Sequence, residues 1–423
     1  MNYRKILKVA GIVAMTVMVA MIPVLLTACP SDDSDGNGNG NGDEVKAPLK
    51  VGVMVPETGV AASKGQPMAA GIRDAIKYIN EELDGVLGHQ IEVLVRDNGY
   101  DASKTTTIIE EFINAGVLLF TTQSSAQMTA AMTRANEVGL PGFAVFSTPK
   151  LTQPAQHIYA QLPDYGDDWA AFAQYYMDNI WQGEGRPKMA LHLLNNSTGQ
   201  GAKDAAVLLA DSLGIDLVLI EEHTSTTISE IESLTRIRAL DVDVLYISST
   251  PAPTATIIGD AVDLGMYPGV IIGCGHASFT SELVELAGAD ADGVYGVFPT
   301  VNWGDDVPGM AKMTEYMEAN HPEFAGNMDY ITAWNEGLII AEILKQAIQN
   351  APGGADSLTP QLVEQYGFQM LNGYDVGELQ GPVVYTTGDN RLSTTVKLYQ
   401  VVDGVITVIG DWIEAPFIDY GFE

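Results

Sequence analysis

Six short loops, each following an apolar β-rich run, hold groups suited to binding: "ETGVAASKGQ", "TTQSSAQ", "FSTPK", "NNSTGQG", "SSTPAPT" and "GCGHASF". Hydroxyls and backbone N–H groups at helix starts suit an anion, particularly a carboxylate. Ordinary N-capping accounts for any single Ser or Thr among them. The first loop raises a sharper question. Its "GVAASKGQ" has the flavour of a phosphate loop, but the Walker order is G-x-x-x-x-G-K-[ST], and here Lys64 precedes Gly65 with no hydroxyl after it. Lys64 is therefore either a specific cationic contact or a solvated loop lysine, in a chain with 21 Lys+Arg against 54 Asp+Glu.

Catalytic patterns are missing from the sequence. There is no G-x-S-x-G elbow to hold a hydrolase nucleophile. The six histidines, His89, His157, His192, His223, His276 and His321, are scattered without metal-ligand spacing, and two cysteines cannot make a zinc site. "GQGAKD" offers two of the three glycines of a dinucleotide fingerprint, with Asp204 where the third should allow close helix packing. The expectation is a binding protein with no cofactor and no metal, not an enzyme.

Those loops need elements to carry them. From Leu49 onward, β-rich runs alternate with segments of helical period: "LKVGVMVP" precedes "PMAAGIRDAIKYINEEL", in which Ile72, Ile76, Ile79 and Leu83 share a face. "IEVLVRD", "VLLFTT" and "GFAVFST" continue the series. A second series runs through "KMALHLLN", "DLVLIEEH", "DVLYISS" and "GVIIGC", and the chain closes on a β-rich end. Such alternation with short links gives an α/β fold of parallel sheets with helices on both faces, and ligands bind beyond the carboxyl ends of the strands.

Composition narrows the partners. The formal charge of −33 repels a nucleic-acid backbone, so no nucleic acid is expected. The N-terminus has Arg4, Lys5 and Lys8, an apolar run from Val9 to Leu26, then small residues and Cys29, the three parts of an export signal. A single spanning helix is the alternative. "LTAC" resembles a bacterial lipobox, which implies a signal peptide over 1–28 and a diacylglyceryl group on Cys29 as a lipid anchor. Residues 29–48, rich in Asp, Gly and Asn, read as a flexible tether. With Cys29 acylated, Cys274 has no disulfide partner.

The order of motifs resembles the type I periplasmic-binding proteins, in particular the branched-chain amino-acid-binding group that serves ABC transporters. The likeness spans about Leu49 to Trp412. It rests on "KVGVMVPETGVAASKGQPMAAGIRDAIKYINEELDGVLGHQIEVLVRDNGYDASKT", "SSAQMTAAMTRANEVGLP", "GQGAKDA", "SELVELAGADADGVYGVFP" and "GPVVYTTGDNRLSTTVKLYQVVDG". It implies two Rossmann-like lobes joined by a three-strand hinge, one lobe holding 49–162 and 300–381, the other 163–299 and 382–412, with a tail at 413–423. Ligand would be trapped between the lobes by hinge closure and delivered to an ABC permease.

The resemblance also implies a site. Ser124 or Ser125, and Ser147 or Thr148, match the residues that hold a ligand's carboxylate. Lys64 and Thr198 stand where aromatics are usual, and Thr250 of "SSTPAPT" completes the candidate set. His276 aligns with the acid that meets the ligand's ammonium. A cleft lacking that acid should reject zwitterions, so the expected ligand is a small carboxylate without an α-amino group, such as an oxo, hydroxy or aromatic acid, with Lys64 and His276 as cationic or donor contacts. The chain is expected to be an exported, lipid-anchored, monomeric solute receptor of an importer. The other reading is a ligand sensor acting through a separate signalling partner.

Overall fold

The computed structural model describes residues 46–422. The leader, Cys29 and the tether up to residue 45 lie outside the described residues. In the first lobe β1 (Leu49–Val55), β2 (Ile91–Asp97), β3 (Leu119–Thr122), β4 (Gly142–Ala144) and β5 (Ile158–Ala160) form an all-parallel sheet in the order β2-β1-β3-β4-β5. Between them run α1 (Ala62–Glu82), α2 (Ala102–Ala115), α3 (Ser125–Val138) and the single turn α4 (Pro149–Thr152). Successive side chains of a strand point to opposite faces. Val51, Val53 and Val55 accordingly enter the core beneath α1, while Met54 enters the one beneath α2 and α3.

The second lobe starts with α5 (Tyr165–Tyr175). It continues with β6 (Lys188–Leu194), α6 (Ser197–Leu209), β7 (Asp216–His223), α7 (Ile231–Arg238), β8 (Val244–Ser248), α8 (Pro251–Asp263), β9 (Ile271–Cys274), α9 (Ser281–Ala287) and β10 (Tyr295–Phe298). The chain then returns to the first lobe for α10 (Met310–Asn320), α11 (Met328–Asn350), α12 (Pro360–Tyr366) and the small pair β11 (Asn372–Tyr374) and β12 (Val383–Val384). It crosses back as β13 (Thr395–Val402), β14 (Val405–Val408) and β15 (Ile413–Glu414). The sheet order is β7-β6-β8-β9-β10-β13-β14.

This second sheet is mixed rather than wholly parallel, because β13 runs antiparallel to β10 and turns tightly into β14. Asp403 and Gly404 both have positive φ, 52° and 75°, the conformation of a two-residue hairpin turn whose twist suits the strands it joins. The last residues are not a loose tail. β15 pairs with β13, Ile418 is buried in the core under α5 and α6, and Gln153 Nε2 donates to the Ile418 carbonyl at 2.8 Å.

Three segments cross between the lobes. Gln161 follows β5, Thr300 follows β10 and pairs with Gln380, and Arg391 pairs with Ala160. On the first lobe's outer face, α11 packs closely on α1 because the contact residues are small: a Cβ at Gly337 would meet the Ala75 Cβ at 2.5 Å.

Candidate ligand-binding site

Each sheet places its first strand between its second and third, β1 between β2 and β3, and β6 between β7 and β8. Loops diverge at such a switch point and leave a crevice at the carboxyl ends of the strands. The loops after β1 and β3 face those after β6 and β8 across one narrow pocket. Lys64, Ser124, Thr198 and Thr250 all line it, from four different loops.

Each of these residues sits at a helix start. Lys64 lies in the first turn of α1, Ser124 precedes α3, Thr198 lies in the first turn of α6 and Thr250 precedes α8. Four positive helix ends thus converge. In α6 the Asn196 side chain caps the Thr198 N–H at 2.8 Å. Ser124 makes no side-chain cap bond, so the opening turn of α3 keeps N–H groups without a side-chain partner, whereas α8 opens on Pro251 and Pro253 and has only the Ala252 N–H to offer. The arrangement can hold an anionic oxygen.

Lys64 is not the isolated cation expected from sequence. Its Nζ lies 2.5 Å from Asp329 Oδ1 in the first turn of α11 and 4.6 Å from the centre of the Phe146 ring. The side chains are 11% and 2% exposed, so the pair is nearly dry and its net charge is zero. A carboxylate therefore does stand behind the lysine, supplied by the far half of the sequence.

His276 is also placed differently from the expectation. Ala277 lines the pocket, and His276 is fully buried behind the wall. Its ring lies between Phe146 and Tyr165, with centroids 5.1 Å from each. Nδ1 lies 2.7 Å from Asp168 Oδ2, which takes an aligned hydrogen bond from the His276 backbone N–H at 2.9 Å. His276 props the two aromatic walls and is not itself exposed to the cavity.

The other candidates flank the pocket. Ser125 Oγ is 2.8 Å from Ser197 Oγ, a bond between the lobes, and 3.5 Å from the Tyr165 hydroxyl. Ser147 is fully buried, and its Oγ has no partner among the described residues. Thr148 stands at the N-cap position of the short α4 without a side-chain cap bond and packs on α6 at Gly201, where a Cβ would come within 3.0 Å of Thr148 Oγ1. The glycine of "GQG" serves contact between lobes, not a dinucleotide.

Reading the sequence missed Tyr100, Gln123, Phe146 and Tyr165, which also line the pocket. Tyr100 has φ of 59°, and the Asn98 side chain holds its N–H at 2.9 Å. Its hydroxyl accepts from Asn196 Nδ2 at 3.3 Å, a second bridge between the lobes. Burial raises the pKa of both Tyr100 and Tyr165, keeping the hydroxyls neutral. The rings of the pocket come from Tyr100, Phe146 and Tyr165, beside the non-aromatic Lys64 and Thr198. β4 ends at Ala144, shorter than the "GFAVFST" run suggests, which frees Phe146 to reach the pocket.

Two compact α/β lobes with one pocket at facing switch points define a two-lobed ligand-binding architecture. The periplasmic binding protein family profile matches residues 48–405, and the chain belongs to that family, in its type I form. Among curated relatives it is 23% identical over 349 residues to the Leu/Ile/Val-binding protein homolog 7 of Brucella suis biovar 1, covering 76% of this chain and 85% of that one. Among solved structures it resembles a branched chain amino acid ABC transporter protein from Thermus thermophilus with bound valine, with TM-score 0.78 and 19% identity, over 87% of this chain and 97% of that one. A fatty acid ABC transporter substrate-binding protein from Thermomonospora curvata scores 0.76 at 20% identity, over 87% and 92%. The same backbone thus accompanies quite different ligands, so the side chains of the pocket must decide.

Proposed function

We propose that this chain is the solute-capturing component of an ABC importer, taking a small carboxylate or amino-acid-like ligand between its lobes and presenting it to a membrane permease. The observation that carries this reading is the convergence of four helix starts on one pocket, of which α3 presents its opening N–H groups without a side-chain cap. Such ends favour an anionic oxygen, and a pocket between two sheets is closed when the lobes approach. Ser124 and the α3 start are the proposed carboxylate site, with Thr198 and Thr250 meeting the ligand from the second lobe. Ser125 with Ser197, and Tyr100 with Asn196, are proposed to latch the closed form. The three crossing segments are proposed to act as the hinge, with lobe boundaries near 162/163, 299/300 and 381/382.

Because Lys64 is neutralised by Asp329, its role is to hold the pocket wall, while the α3 helix start supplies most of the anion affinity. The ligand class that fits is a small carboxylate lacking an ammonium. No helix among the described residues is long and apolar enough to cross a membrane. Acylation of Cys29 is the proposed attachment, on the extracytoplasmic face.

A thermal-shift screen of matched amino, oxo, hydroxy and aromatic acids tests the reading. A ligand present at 100 times its dissociation constant stabilises by about 2.7 kcal/mol. A shift that disappears in Ser124→Ala supports the carboxylate site, and no shift from any of these acids refutes it.

A further inference from the structure

A buried hydrogen-bond chain behind the pocket fixes the direction of one amide that lines it. Thr121 Oγ1 lies 2.7 Å from the Phe143 carbonyl and also makes a short contact with Glu336 Oε1. A carbonyl only accepts, and a hydroxyl has one proton to give. Thr121 therefore donates to Phe143, and the proton between Thr121 and Glu336 belongs to Glu336. The carboxyl is fully buried with no cation paired to it among the described residues, and burial pushes it up to about 7.

Glu336 Oε2 is then left as an acceptor, and Gln123 Nε2 donates to it at 3.0 Å and to the Met68 carbonyl at 3.4 Å. Both neighbours accept, so the amide cannot be turned round without setting oxygen against oxygen. Gln123 Oε1 is consequently the amide atom that this chain of bonds leaves unpaired. It is buried, belongs to a residue that lines the pocket, and has no partner among the described residues. An unpaired buried acceptor is costly until something donates to it.

We infer that Gln123 selects the ligand by the group beside its carboxylate: Oε1 accepts from a neutral donor, which makes a 2-hydroxy carboxylate the preferred class. This rests on the carboxylate-binding reading above. A 2-oxo acid would set its carbonyl oxygen against Oε1. A 2-amino acid could donate, but its ammonium would add a charge to a pocket whose lining includes no carboxylate to pair with it. A hydroxyl donates to Gln123 without adding charge.

The test is calorimetric titration of the full chain with lactate, pyruvate and alanine, and with 2-hydroxy-, 2-oxo- and 2-amino-4-methylpentanoate. The expected order is hydroxy acid tightest in each trio, about tenfold or more over the oxo acid, as removal of a buried partner implies. Gln123→Met, of similar size but with no acceptor oxygen, should bring the hydroxy-to-oxo ratio close to one. Glu336→Gln, which can still donate to Thr121 and accept from Gln123, should retain the ratio. If no acid of the six binds, the carboxylate reading falls and this inference with it. If acids bind but the wild-type ratio is one or less, or amino acids bind tightest, or the ratio survives in Gln123→Met, the inference alone is overturned. The wild-type ratio decides even where a variant fails to fold.

Discussion

Lys64 and Asp329, 265 positions apart, form a nearly buried ion pair with Nζ to Oδ1 of 2.5 Å at the edge of the pocket. Removing one partner of such a pair leaves an uncompensated charge in a dry site, which costs roughly 3–5 kcal/mol. Lys64→Ala should therefore lower the unfolding free energy by about that much without any ligand, and the double variant with Asp329→Asn should recover most of it. Urea denaturation of the four proteins of this cycle gives the answer. A single variant with unchanged stability would show that the pair contributes little and that the lysine is free to serve a ligand.

The two lobes touch through Ser125 and Ser197, 2.8 Å apart. Neutral hydrogen bonds of this kind contribute about 0.5–1.5 kcal/mol. Ser197→Ala should weaken ligand binding by less than about tenfold, mostly through faster dissociation, with little change in melting temperature of the ligand-free chain. Stopped-flow dissociation kinetics separates this latch from a direct ligand contact, which would be lost with a larger drop in affinity.

Glu336 is held up at about 7 by burial, above its ordinary value of 4.5. The folded state then binds the extra proton between those values, so its contribution is complete below about pH 4.5 and is lost as pH rises through about 7. The full loss is roughly 3 kcal/mol, from about 1.36 kcal/mol per unit. Glu336→Gln should gain stability relative to wild type as pH rises from 6 to about 9. Melting curves over that range that stay parallel for the two proteins would contradict this.

In the second lobe His192 and His223 face each other with Nδ1 atoms 2.9 Å apart, the outer nitrogens meeting Ser233 and Ser249. Burial lowers His223 to about 4, with the neighbouring His192 adding to the effect and Glu230 opposing it. Here the unfolded chain binds the extra proton, so the stabilisation is present above about pH 6.5 and is lost as pH falls through about 4. Its sign opposes that of Glu336, and the two partly cancel in wild type between about pH 4.5 and 6.5. His223→Gln should flatten the acid side of the stability profile by roughly 2 kcal/mol between pH 7 and pH 5, measured by denaturation at the two values.

What the sequence determined by itself is local. Alternation of period two in "LKVGVMV" and a helical face of isoleucines in α1 specify strand and helix, because each depends on residues within one element. The helix starts at Lys64, Ser124, Thr198 and Thr250 were legible as loop chemistry for the same reason, and the topology rule put them at one end of the sheets. The tertiary structure decided what those residues face. Lys64 acquired Asp329 from α11, His276 was drawn behind Phe146 and Tyr165, and Gln123 was oriented by a carboxyl on α11 that no local pattern marks. Charge state and hydrogen-bond direction in a buried site depend on partners brought together by packing, often hundreds of residues away, and spacing along the chain carries no record of them.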